Sequence, residues 1–117
     1  MSNPTMWFEV AGKDREAMKA FYSQLFAWKL TDMNGMPYSV IDTGGEGIPG
    51  GIGEAPSGHP GHVTFYVQVD DIEASLGRAE QLGGKRVMGP TEIPSGQIAI
   101  FADPEGHEIG LMTRVGT

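Results

Sequence analysis

The chain has 117 residues, 15 acidic against 8 basic side chains, a net charge of −7 and no cysteine. That length suits one domain of the usual ~100–150 residues, and 39% hydrophobic residues can build a core, which argues against disorder. Disulfides, thiolate metal sites and cysteine nucleophiles are excluded outright, and the acidic balance speaks against wrapping nucleic acid. No apolar run approaches the ~20 residues that cross a bilayer. The opening MSNPTMWFEV lacks a basic region leading into an apolar stretch, so the sequence predicts a cytoplasmic protein with no membrane partner.

MWFEVA (6–11) predicts a strand that ends at a Gly-Lys-Asp break. Asp14 stands where a helix N-cap belongs, and Met18, Phe21, Tyr22, Leu25 and Phe26 recur at amphipathic-helix spacing, predicting one broad apolar face. Leu30–Met33 can form a short strand before the Asn34-Gly35 turn, and Met36–Asp42 reads as the next strand. Thr43–Gly61 is glycine-rich, with room for a short strand around Gly50–Ile52. HVTFYVQV (62–69) is a strand; Asp70 and Asp71 offer a cap, and Ile72, Leu76, Ala79 and Leu82 form a helical stripe that stops at Gly83-Gly84. Arg86–Met88, Gln97–Phe101 and Glu108–Met112 are the last strand candidates.

The same order of elements occurs twice. At an offset of 57, Phe8/Phe65, Val10/Val67, Asp14/Asp71, Glu16/Glu73, Ala17/Ala74, Gln24/Gln81 and Leu25/Leu82 coincide; at 59, so do Ile41/Ile100, Glu46/Glu105, Gly47/Gly106 and Gly51/Gly110. The predicted fold is therefore α+β: two βαβββ modules, about 5–53 and 62–114, forming a curved mixed sheet with helices outside and a concave face that can hold a ligand. Exposed strand edges and small size favour a homodimer.

WFEVAGKDREAMKAFYSQLFAW resembles the opening of vicinal oxygen chelate proteins, the superfamily of glyoxalase I, bleomycin-resistance proteins and extradiol dioxygenases. VTFYVQVDDIEASLGRAEQLGGKRV followed by IAIFADPEGHEIGLM is similar to that family's second half, including the Asp-Pro-Glu-Gly turn at 103–106. The resemblance implies four inward metal-ligand positions, which fall here on Trp7, Gly51, Thr64 and Gly110. An indole, a hydroxyl and two glycines do not make a divalent-metal site. Metal-dependent glyoxalase I and extradiol dioxygenase activities are accordingly disfavoured, no cofactor is expected at the usual place, and a divalent metal remains open only at a displaced site. Glycine inside a strand marks a bulge or a close approach, so Gly51 and Gly110 are expected to open space or let backbones approach.

Residues two apart on a strand share a face. His62 and Glu108 each lie two residues before one of those positions, and Glu9 lies two after Trp7; these three are the candidate acid, base or displaced-metal residues. Trp7, Tyr38, Thr64 and Tyr66 are the candidate ligand-binding residues, suited to a small aromatic or cationic molecule. Phe8, Val10, Phe65 and Val67 fall on the opposite face and are expected to be core beneath the helices. His59-Pro60-Gly61-His62 offers two imidazoles without a fixed third ligand, and the EGIPGGIGEAPSG run lacks the Lys-Ser/Thr ending of a phosphate loop. Three functions follow: a metal-independent small-molecule binder like bleomycin-resistance proteins, a glyoxalase-like lyase or isomerase with a displaced metal or acid–base site, and a non-catalytic dimeric interaction module.

Overall fold

The computed structural model describes residues 2–113. Their elements in chain order are β1 (Thr5–Gly12), α1 (Arg15–Phe26), β2 (Lys29–Asp32), β3 (Tyr38–Asp42), β4 (Gly50–Glu54), β5 (His62–Val69), α2 (Ile72–Gln81), β6 (Lys85–Ile93), β7 (Gly96–Ala102) and β8 (Glu108–Thr113). The chain is α+β, and each half repeats one strand, one helix and three strands. Two compact units result: Trp7–Thr64, and a second that joins Phe65 onward to the first six residues. Among the described residues no helix is long and apolar enough to cross a membrane.

In the first unit the strand order is β2-β3-β4-β1. β4 runs parallel to β1 with Glu9 opposite Gly51, and β3 is antiparallel to both β2 and β4. The second unit has the order β5-β8-β7-β6, with β8 parallel to β5 and Tyr66 opposite Gly110. Glu9 and Tyr66 are 57 residues apart while Gly51 and Gly110 are 59 apart, so strand pairing reproduces both offsets of the sequence repeat. The mixed sheet of each unit follows from this connectivity, because first and fourth strands can be parallel only if a helix and a hairpin intervene.

Asp14 and Asp71 cap the helices as expected, each carboxylate accepting a backbone N–H 3.0 Å away, from Ala17 and Ala74. α2 buries Ile72 and Leu76 against Val69, Ala99 and Leu111, with Val67 and Phe101 packed alongside. α1 differs from its prediction, since none of its residues is buried. Phe21, Leu25 and Phe26 are 60%, 58% and 51% exposed. The stripe turned to the sheet includes Arg15 and Lys19, whose heads bond Ser39 and Asp32 on β3 and β2. Tyr22, Phe26 and Trp28 gather into an aromatic cluster that reaches Phe8, ring centroids 4.9–6.3 Å apart. β6 is longer than the predicted Arg86–Met88; its register shifts once between Arg86 and Met88 and again between Met88 and Thr91, where Gly89 and Pro90 lie.

Ser39 is fully buried and gives its proton to Asp32 (2.6 Å) while accepting from the Arg15 guanidinium (2.7 Å). Asp32 is pulled from the ordinary 3.8 down to about 2, first by the hydrogen bond from the Lys19 ammonium and then by that from Ser39. A depressed carboxyl contributes stability above its unfolded value and loses it as pH falls towards the folded one. Between pH 4 and 2 the urea midpoint of the wild type should therefore drop more than that of Asp32→Asn. Parallel curves for the two proteins would show that the network adds nothing.

Candidate functional site

Four of the predicted residues are linked side chain to side chain within the Trp7–Thr64 unit. Trp7 and Glu9 share a face of β1, Tyr38 begins β3 and His62 begins β5. The Trp7 indole N–H donates to the Tyr38 hydroxyl (2.8 Å), and that hydroxyl donates to Glu9 Oε1 (3.0 Å). His62 Nε2 lies 2.6 Å from Glu9 Oε2. Side-chain exposure is 17% at His62 and 13% at Glu9, so the pair is largely withdrawn from solvent.

The donor inventory gives this chain one direction. An indole can only donate, so the phenol oxygen must accept from Trp7 and spend its own proton on Glu9. A carboxylate only accepts, so towards Glu9 the imidazole is the donor through Nε2. A carboxylate holding an imidazole this way fixes its tautomer and orientation, the arrangement that positions a proton acceptor.

The glycines of β4 explain how Tyr38 reaches β1, two strands away. Gly51 and Gly53 share one face of β4 and leave it bare. A Cβ at Gly51 would strike the Tyr38 ring and hydroxyl, and one at Gly53 would come within 3.0 Å of the same ring. The second module has a counterpart, since a Cβ at Gly110 would strike the Tyr66 ring. These glycines clear space, and tyrosine rings fill it. Gly50 plays the same part beneath Phe8, whose ring lies 2.5 Å from where its Cβ would stand.

Thr64 and Tyr66 are buried on β5, at 6% and 5% exposure, on the face they share with His62. Phe65, expected to be core, is 42% exposed, and Val63 is 77% exposed. Glu108 begins β8 in the second unit, opposite Ala102, and is partly buried. His59 is committed locally, its Nδ1 accepting the Gly61 N–H at 2.9 Å, with its ring 6.1 Å from that of His62. His107 closes the Asp-Pro-Glu-Gly turn. Asp103 accepts the backbone N–H groups of Glu105 and His107 and the His107 ring, which lowers its carboxyl below the ordinary range, the His107 backbone bond contributing most.

Neither a tryptophan, a threonine nor two tyrosine-covered glycines can ligate a metal, so the donor set does not fit the divalent ion implied by the resemblance. Among the described residues no group of three or more His, Asp or Glu side chains is arranged to hold one.

A repeated βαβββ unit of this topology is that of a glyoxalase-fold protein of the vicinal oxygen chelate superfamily. A glyoxalase-like domain model matches residues 7–112, and the chain belongs to that family. CFP32 of Mycobacterium tuberculosis is 32% identical over 118 residues, covering 90% of this chain and 43% of the relative. The anthracycline biosynthesis protein DnrV of Streptomyces peucetius is 30% identical, covering 86% and 43%. The chain thus spans less than half the length of these two relatives. Methylmalonyl-CoA epimerase from Mycobacterium tuberculosis superposes with a TM-score of 0.67 at 14% identity over 96% of this chain and 88% of that one, a likeness of fold.

Proposed function

We propose that this glyoxalase-like protein binds a small aromatic or cationic molecule at the Trp7–Tyr38–Glu9–His62 cluster, without the divalent metal usual in its superfamily. The observation that carries this reading is the Tyr38 ring lying over Gly51, where the resemblance places a metal ligand. An indole and a phenol provide flat stacking surfaces, and Glu9 provides a charge for a cation. The name of the streptomycete relative, which places that protein in anthracycline biosynthesis, is in keeping with an aromatic ligand.

A thermal-shift screen of small aromatic and cationic compounds tests the proposal. A ligand held at a hundred times its Kd stabilises by about 2.7 kcal/mol, and His62→Ala or Glu9→Gln should weaken the hit at least tenfold. Stoichiometric metal in protein purified without chelator, lost in His62→Ala, would overturn the metal-free reading. No stabilising compound across a broad library would overturn binding itself.

The 2.6 Å Glu9–His62 contact favours a second reading, a lyase or isomerase that moves a proton at carbon. General-base catalysis of this kind contributes about 10²–10⁴ in rate, and His62→Ala should lose that factor. Absence of deuterium exchange into any ligand found by the screen would count against it.

A further inference from the structure

An apolar cleft lies wholly within the other unit, between α2 and its sheet. It is open to solvent, offers about 380 Å³, and is lined by Val67, Phe101 and Leu111 from β5, β7 and β8 and by Ser75, Ala79 and Arg78 from α2. The internal repeat explains why it is open. At the offset of 57, Ser75 and Ala79 correspond to Met18 and Tyr22 of α1. There the side chains are large: the Met18 sulfur lies 2.9 Å from where a Cβ on Gly12 would be, and the Tyr22 ring stacks on Trp28 at 5.8 Å. Alanine and serine are smaller than tyrosine and methionine, and both line the cleft.

Its charge is equally distinctive. Arg78 corresponds to Phe21, is exposed, and donates a hydrogen bond to the Gln81 side-chain oxygen (3.2 Å). Among the described residues it belongs to no ion pair, whereas Arg86 is bound by Glu73 and Arg15 by Asp32. A guanidinium fork beside an apolar slot matches a carboxylate in two parallel hydrogen bonds. The net charge of −7 opposes an anion at long range, but exposed charges beyond about 8 Å are screened at physiological salt.

We propose that this cleft binds a planar aromatic carboxylate, its ring on Val67, Phe101 and Ala79 and its carboxylate on Arg78. The probe is 2-naphthoate, titrated by calorimetry and by amide NMR shifts, with 2-naphthylmethanol as the neutral analogue. Saturable binding is expected, with shifts confined to α2, β5, β7 and β8. Arg78→Gln should weaken it at least tenfold, and Ala79→Tyr, which restores the residue of the other module, should abolish it. Ser75→Met supplies the same block should Ala79→Tyr fail to fold, and His62→Ala should leave this binding unchanged, which separates it from the cluster on β1. The proposal falls if 2-naphthoate does not saturate, if 2-naphthylmethanol binds as tightly, or if the blocked variants bind like the wild type. It also falls if the wild type sediments as a dimer that Ala79→Tyr dissociates, because a second copy would then cover the cleft.

Discussion

Gly51→Ala should lose about 3–5 kcal/mol of stability, although alanine is ordinarily preferred to glycine within a strand. The added methyl group meets the Tyr38 ring and hydroxyl at a buried position. Overpacking of this kind costs roughly 1–3 kcal/mol. Displacing the phenol also leaves Trp7 and Glu9 short of a partner each, at about 1 kcal/mol per net hydrogen bond. Urea unfolding of Gly51→Ala, Tyr38→Ala and the double variant reads the coupling. Because Tyr38→Ala vacates the space, the double variant should be markedly less destabilised than the sum of the two singles. Gly77→Ala is the internal control: that glycine lies within α2 with open space around its Cβ position, and the change should stabilise by about 0.5–1 kcal/mol. Strict additivity at Gly51 and Tyr38 would mean that the ring does not depend on the glycine.

Leu76→Ala should lose a comparable amount, about 2–5 kcal/mol, through lost transfer energy and the cavity left behind. Leu76 is fully buried on α2 among Val69, Ile72, Ala99 and Leu111. Against a total stability of about 5–15 kcal/mol for a domain, that loss is a large fraction. Hydrogen exchange should show protection falling first in β7 and β8, which pack with that side chain. Leu82, 62% exposed just beyond the helix, serves as the contrast, and Leu82→Ala should stay within about 0.5 kcal/mol of wild type. Equal effects at the two leucines would contradict the burial described for α2.

The repeat was readable because strand pairing is dictated by connectivity and the two offsets survive in residues such as Val10/Val67 and Gly51/Gly110. Both aspartate caps were readable because capping is local chemistry. The face of α1 was not. Apolar periodicity marks Met18, Phe21, Leu25 and Phe26, but the buried Ser39 and the carboxylate of Asp32 recruit Arg15 and Lys19 onto the sheet and turn Phe21 and Leu25 outward. That pairing spans up to 24 residues and leaves no local trace. At the cluster on β1, alternation placed Trp7 and Glu9 together, and the link from Glu9 to His62 needed a contact 53 residues away. Gly51 was readable as a place that opens space; that the Tyr38 ring fills it was not. The spacing Gly51-Ile52-Gly53, with a tyrosine on the neighbouring strand, was the available signal, because alternate glycines clear one face for a ring.

The chain's first six residues count with Phe65 onward, and the Gln68 amide donates to the Pro4 carbonyl at 2.9 Å. The two modules of the gene are therefore not interchangeable cassettes. A fragment cut at the midpoint would carry away a stretch that belongs to the other half, so anyone dissecting or recombining this protein should graft Pro4 and its neighbours onto the C-terminal piece before expecting it to fold.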